Sequence, residues 1–339
     1  MEGDRAGVEG HRGVSAPLRI LLSRAAGERL AGGIAAVLGE RAYVRVGPEA
    51  GVDADVAFVS RDVTGLSTKF ELQPATRAFY DALEAAPSLR WLQIHSAGVD
   101  RPVYQRLRAR GVQVSTASGA NALVVAHSAL AGVLALAREL PRLWDAQRAG
   151  TWAPLIASGL PRDLDGQHAV LVGWGPVAQE IARLLRAFGL RVTVVRQQDR
   201  PAGEDFATIP CTRLREVLPQ ADWLVLACPL TDTTRGFVDA QALALLPARA
   251  RLVNVARGEL VDEPALVDAL RSGRLGGAFL DVFAHEPLAA DSPLWKLANV
   301  IATPHSAGAS DGNAARVERL FLDNLRRWCA GETPHHLAA

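Results

Sequence analysis

The sequence predicts an α/β fold made of two doubly wound parallel-sheet domains, and three observations carry that prediction. Strand-like and helix-like runs alternate from Leu18 onward, the pattern of a parallel sheet with helices on both faces. An apolar run at 168–172 leads through a glycine-rich turn into an amphipathic stretch at 178–189. Three further apolar runs between Leu252 and Gly308 each end on a polar residue. The chain has 339 residues, enough for two domains of ordinary size.

In the first half, LRILLS, AYVRV, ADVAFVS, LRWLQIHS and VQVST read as strands. Helices are expected around Glu28–Leu38, Ala75–Ala86 and Val103–Arg110. This unit is expected to be flavodoxin-like and to end near Ser115. The fourth strand closes on IHSAGVD, residues 94–100, whose small residues let backbone N–H groups approach an anion closely. A plain strand-to-helix turn explains the same segment. Arg61 and Lys69 lie after the third strand in a loop rich in Gly, Ser and Thr; one reading has them rim the same cleft, and solvation is the simpler one. Asn121 to Leu140 predicts a long buried helix stopped by Pro141. The segment from Trp144 to Gly166 reads as an arm wrapping a neighbour, with Trp144 and Trp152 exposed unless covered.

HAVLV at 168–172 reads as a buried strand. It is followed by Gly173-Trp174-Gly175-Pro176-Val177-Ala178 and a helix. Strand, GxGxxA turn and helix together form a dinucleotide-binding fingerprint, so this domain is expected to be a Rossmann unit. Gly173 makes the tight turn, Gly175 admits the pyrophosphate, and the small Ala178 permits close helix–strand packing. The helix N-terminus supplies amide donors to the phosphates. The next strand, RVTVV, ends on Arg196-Gln197-Gln198, where an NAD-binding unit usually carries an acid for the ribose 2′-hydroxyl. Arginine pairs instead with a 2′-phosphate, which favours NADP, with NAD as a second cofactor. A plain surface arginine is the alternative in so arginine-rich a chain.

VNVA ends on Arg257, AFLDVFAHEP carries Asp281 and Glu286, and VIATP ends on His305. Parallel sheets present such residues at their carboxyl edge, where ligands bind. An arginine, a carboxylate and a histidine there can orient a carboxylate substrate and move a proton. Taken singly, each also has a bland reading as an ion-pair partner, a loop acid or a loop histidine.

NVARGELVDEPALVDAL, FLDVFAHEPL and ATPHSAG resemble, in order, three motifs of the D-isomer-specific 2-hydroxyacid dehydrogenases. The resemblance extends from about Leu18 to about Cys329. It implies that Arg257 holds the substrate carboxylate and keto oxygen. It implies that His305 is the general acid/base, that Glu286 bonds its imidazole, and that Asp281 meets the nicotinamide carboxamide. Main-chain amides of Ser96, Ala97 and Gly98 are expected on the substrate carboxylate. Cys228 and Pro229 resemble the start of the family's loop beneath the cofactor, with Cys228 as a packing residue. Val255, Ala256 and Gly308 complete the expected cofactor contacts. The chain departs from the family where VAE is common: it has VAH, with His127.

The implied division is a disordered segment at 1–17, a substrate domain from 18–116 and 309–339, and a dinucleotide-binding domain at 117–308. The expected enzyme reduces a small 2-keto acid, with the arm at 144–166 making a homodimer. Relatives acting on 3-phosphoglycerate, and corepressors that use the fold as a dinucleotide-sensing module, are the alternatives. Many phosphoglycerate enzymes carry a regulatory extension, whereas this sequence stops at Ala339, and no added peptide-binding tail is evident. The formate branch lacks the glutamate partner that Glu286 supplies. A formal net charge of +1 suggests no nucleic-acid or membrane partner. Three scattered cysteines, Cys211, Cys228 and Cys329, fit no metal-ligand spacing and suit a reducing cytoplasm.

Overall fold

The structure is a computed structural model, and it describes residues 16–49, 51–157, 159–198 and 200–338. The segment expected to be disordered, 1–17, lies outside the described residues except for Ala16 and Pro17.

The first sheet unit runs β1 (Leu18–Leu21), α1 (Arg24–Leu38), β2 (Tyr43–Val46), β3 (Val56–Val59), α2 (Arg61–Thr64), α3 (Pro74–Ala85), β4 (Trp91–Ile94), α4 (Pro102–Ala109) and β5 (Gln113–Ser115). Then come α5 (Ala122–Ala137) and α6 (Leu140–Arg148). The second unit runs β6 (His168–Val172), α7 (Pro176–Ala187), β7 (Arg191–Arg196), β8 (Ala207–Pro210), α8 (Leu214–Val217), β9 (Trp223–Leu226) and α9 (Ala240–Leu245). It continues with β10 (Arg251–Asn254), α10 (Glu263–Arg271), β11 (Gly277–Leu280) and β12 (Val300–Ala302); α11 (Asn313–Cys329) follows.

Both sheets are parallel throughout. The first has the order β2-β1-β3-β4-β5, the flavodoxin-like arrangement. The second has the order β12-β11-β10-β9-β6-β7-β8. Its six strands from β6 to β11 follow the dinucleotide-binding order, with β12 added at one edge. Central strands β3, β4, β6, β9 and β11 are buried along their whole length, which is why they read as unbroken apolar runs. The fold class predicted from alternation is therefore the observed one.

Two local readings change. The long helix ends at Ala137, and Pro141 lies in the first turn of α6 rather than stopping α5. Proline is tolerated there because the first-turn N–H groups have no intrahelical acceptor. Glu139 adopts a left-handed conformation, φ 54°, between the two helices, whose axes differ by 70°. Helix α1 also starts four residues earlier than the apolar pattern suggests, because Ser23 Oγ accepts the Ala26 N–H at 3.1 Å and caps it. No single described helix is long and apolar enough to cross a membrane.

Helix α11 returns to the first sheet. Phe321 stacks on Phe58 at 4.6 Å and on Trp91 at 5.8 Å. Phe58, Trp91 and Phe321 are fully buried, worth about 1.5–3 kcal/mol for a side chain such as Phe. Asn324 Nδ2 donates to Gln93 Oε1 at 2.8 Å, satisfying a polar pair inside that core. Helix α5 instead packs against α7 and β11 of the second unit.

Candidate active site

Every strand is parallel, so the loops after β4, β10, β11 and β12 leave the carboxyl edges of the two sheets. The structure brings these edges together. Asp100 in the loop after β4 touches Arg257 after β10, and Thr68 Oγ1 donates to the Glu286 carbonyl at 3.0 Å.

His305 stands three residues after β12, with φ 49°. A non-glycine residue in the left-handed region costs on the order of 1–3 kcal/mol and persists only when its surroundings impose it. Asp281 imposes it here. Its buried carboxylate accepts Thr303 Oγ1 at 2.6 Å, Ser306 N at 2.8 Å and Ala307 N at 2.9 Å. Its carbonyl accepts His305 N at 2.8 Å. Asp281 thus shapes the histidine loop, a task the sequence reading did not assign to it.

The His305 ring meets Glu286 through Nδ1 and Oε2 at 2.8 Å. Burial opposes the Glu286 charge, yet the bonds from His305 and from Phe283 N hold its carboxyl below the ordinary range. An ionised acceptor places the proton on Nδ1 and leaves Nε2 outside that bond. The imidazole is 48% exposed while Glu286 is 14% exposed, so the pair presents the ring and hides the acid.

Arg257 lies against the loop after β4. A Cβ built on Gly98 would stand 2.0 Å from Arg257 Nη2 and 2.8 Å from Asp100 Oδ1. The guanidinium therefore rests on the same small-residue loop whose amides were singled out as anion donors. Ser96 Oγ donates to the Gly98 carbonyl at 3.0 Å and tightens the turn, and Ala97 is exposed. Gly98→Ala must push the guanidinium away, and kcat/KM is expected to drop by about tenfold or more, as the misplacement of a positioning group does. A steady-state assay together with a melting curve checks that the loss is not unfolding.

Sequence reasoning missed Asp100, and for Lys69 it preferred the solvated reading to the cleft-rim one. Asp100 accepts Arg257 Nη2 at 3.0 Å and Arg257 Nε at 3.2 Å. Burial opposes the Asp100 charge, but Arg257 and Lys69 outweigh it and hold the carboxyl far below its usual range. Lys69, expected in solvent, is only 17% exposed and is paired to Asp100 at 3.3 Å and to Glu259. The one available signal was Asp100 at the end of SAGVD. Arg61 is exposed, and so is His127. His95 sits beside the loop with Nε2 on Thr64 Oγ1 at 2.8 Å, and burial pushes it down to about 4, so it is neutral at ordinary pH.

At the second sheet's edge, Gly173 has φ 111°, and its missing Cβ would meet the Ala227 carbonyl at 2.5 Å. Gly175 begins α7 and faces open space: nothing lies within 4 Å of the Cβ it lacks. A tight turn followed by an open, exposed approach to a helix N-terminus suits a pyrophosphate. Asn121 Oδ1 is buried without a partner among the described residues, and its amide lies 3.5 Å from where a Gly308 Cβ would be. An unsatisfied buried acceptor beside the His305 loop also suits a polar ligand group. The residues present therefore fit a dinucleotide. Trp174 packs edge-on against Phe206 at 5.2 Å, Pro176 is exposed, and Val177 is half-buried. Val255 is half-buried and Ala256 buried at the β10 edge. Burial pushes the Cys228 thiol up to about 12, consistent with packing rather than reactivity; Pro229 beside it is exposed. Arg196 reaches only the carbonyls of Arg200 and Pro201, at 3.5 and 3.4 Å, and has no carboxylate partner among the described residues. Asp199 lies outside the described residues.

Residues 130–307 match the family model described as D-isomer specific 2-hydroxyacid dehydrogenase, NAD binding domain. The chain belongs to that family. The dehydrogenase is 32% identical to a glyoxylate reductase of Korarchaeum cryptofilum, over 76% of this chain and 78% of that one. It is 35% identical to an (S)-sulfolactate dehydrogenase of Chromohalobacter salexigens, over 74% of this chain and 81% of that one. Its fold matches a D-isomer specific 2-hydroxyacid dehydrogenase from Xanthobacter autotrophicus solved with NADPH and MES. That match has a TM-score of 0.75 and 27% identity, covering 95% of this chain and 98% of the other. The dehydrogenase is thus an oxidoreductase with an NAD(P)-binding domain, in a family acting on small 2-keto and 2-hydroxy acids.

Proposed function

We propose that this dehydrogenase reduces a small 2-keto acid to the D-2-hydroxy acid, with NADPH preferred over NADH and His305 as general acid/base. The observation that carries this reading is the Glu286–His305 pair, at 2.8 Å, on the sheet edge that also holds Arg257 and the Gly98 loop. In this reading residues 18–116 with 309–339 form the substrate domain, and 117–308 form the dinucleotide-binding domain.

Arg257 and the amides of Ser96, Ala97 and Gly98 hold the substrate carboxylate, and Arg257 also polarises the keto oxygen. Gly173, Trp174, Gly175, Pro176 and Val177 hold the cofactor phosphates, and Arg196 holds the 2′-phosphate. Cys228, Pro229, Val255, Ala256, Asp281 and Gly308 line the remaining path to the nicotinamide. When bound, the dihydronicotinamide supplies hydride to the carbonyl carbon. His305 Nε2 gives the proton to the carbonyl oxygen, while Glu286 keeps the Nδ1 proton and the ring orientation in place. In the reverse direction neutral Nε2 takes the proton back.

Glyoxylate and hydroxypyruvate are the first substrates to test, glyoxylate being named for the Korarchaeum relative. The exposed Trp152, at 91%, with Ile156 and Leu160 on the same arm, supports a homodimer that covers them. Three free cysteines suit the reducing cytoplasm.

The cofactor reading rests on Arg196 and on the NADPH bound by the Xanthobacter relative. A 2′-phosphate at Arg196 gains a charge-assisted bond of about 1.5–3 kcal/mol, roughly 10- to 150-fold in affinity. Assays of 2-keto acids with both cofactors are expected to show kcat/KM at least about tenfold higher with NADPH. Arg196→Asp is expected to erase or reverse that preference without changing which keto acid is accepted. Equal use of both cofactors by the unmodified enzyme would remove Arg196 from the site. No turnover of any 2-keto acid, with NADPH still bound, would overturn the catalytic reading.

A further inference from the structure

Arg257 has five N–H donors. Its Nε–H and one Nη2–H go to Asp100, and one Nη1–H goes to the Ala256 carbonyl at 2.7 Å. One N–H on each terminal nitrogen is left with no protein acceptor among the described residues. Two donors on one rigid fork match the two oxygens of a carboxylate. Asp100 therefore occupies one edge of the guanidinium and leaves the rest of the fork for a substrate.

The two partners come from different sheets. Asp100 follows β4, and Arg257 follows β10, 157 residues later. A second ion pair runs in the same direction: Lys69, from the loop before α3, joins Asp100 and Glu259. Arg257, Asp100, Lys69 and Glu259 thus form a chain of alternating charge that crosses twice between the two sheet units. Thr68 crosses beside it to the Glu286 carbonyl, and Phe70 stacks on His285 with ring centres 4.3 Å apart. Holding an arginine from the opposite unit ties its orientation to how the two units meet.

We propose that Asp100 is the positioning residue for Arg257: it grips the guanidinium from across the sheet–sheet junction and so aims the substrate clamp only when the two units are together. This rests on the proposed reduction of 2-keto acids at this site. Lys69 is part of the device, holding Asp100 in turn and anchoring it to Glu259 beside the arginine. Removing Asp100 leaves Arg257 present and charged but free to swing off the Gly98 loop.

A double-mutant cycle tests it, using glyoxylate and hydroxypyruvate with saturating NADPH. The variants are Asp100→Asn, Asp100→Glu, Arg257→Ala and Asp100→Asn with Arg257→Ala. Asp100→Asn is expected to lower kcat/KM by at least about tenfold, chiefly through KM, with NADPH affinity and melting temperature close to those of the unmodified enzyme. Asp100→Glu keeps the charge, and so guards against loss of folding, but moves the grip; it is expected to remain at least about threefold impaired. With Arg257 already alanine, Asp100→Asn is expected to change kcat/KM by less than about twofold, because there is no guanidinium left to aim. Three results would overturn the inference: full activity in Asp100→Asn, full activity in Asp100→Glu, or the same loss from Asp100→Asn in both backgrounds. Failure of the underlying reading looks different. In that case the unmodified enzyme turns over neither acid, or Arg257→Ala loses nothing, before Asp100 is touched.

Discussion

Replacing His305 by alanine is expected to lower 2-keto acid reduction by about 10²–10⁴-fold while NADPH binding is retained, because that is what proton delivery by a positioned side chain is worth. The geometry explains why no neighbour substitutes. His305 is the residue that Glu286 holds at 2.8 Å, and Asp281 bends the backbone to put it there. His95, the other histidine near the substrate loop, is committed to Thr64 and held neutral by burial. Glu286→Gln adds a graded test. Without the carboxylate the ring loses its ion pair and its fixed orientation, and kcat/KM is expected to fall by about tenfold or more. At the acid end, Glu286 is ionised to below the ordinary carboxylate range, so the pair survives mild acidification and is lost only as Glu286 itself takes a proton. Steady-state rates across the acid range measure the loss of the pair. Unchanged kcat/KM in Glu286→Gln would exclude the relay.

Arg257→Ala is the second large effect, expected to lower kcat/KM by at least about 10²-fold through loss of a charge-assisted, two-point contact. Arg257→Lys is expected to recover little, since an ammonium cannot bind Asp100 along one edge and a carboxylate with its remaining donors. Near-normal turnover in Arg257→Ala would remove it from substrate binding, and Arg257 would then be only a tie between the two sheet units.

Much of this was legible in the sequence because it is set by short-range chemistry. Alternating apolar and amphipathic runs give strands and helices by side-chain period alone, and parallel strands buried on both faces read as unbroken apolar runs. The glycines at 173 and 175 stand out because a strand-to-helix turn around a phosphate leaves no room for side chains. Arg257, Glu286 and His305 each end an apolar run, and parallel topology sends such ends to one edge. The absence of an acid beside Arg196 is likewise a fact of sequence.

What the tertiary structure decided is how loops from different sheets meet. Asp100 and Arg257 are 157 residues apart, and Lys69 and Glu259 are 190 apart. No local preference relates them. Their pairing depends on how two separately built sheets abut, which side-chain periodicity does not encode, so Lys69 looked solvated and Asp100 looked like the tail of a turn. Asp281 was also read by its neighbours in sequence, whereas its three hydrogen bonds come from a loop 22 to 26 residues later. Pro141 was read as a stop because proline breaks helix interiors; only the bend at Glu139 puts it in a first turn, where it breaks nothing. Sequence determined which side chains arrive at the edges, and the packing of one sheet against the other determined which of them hold each other in place, because ion pairs form between neighbours in space and neighbours in space are chosen by the whole fold.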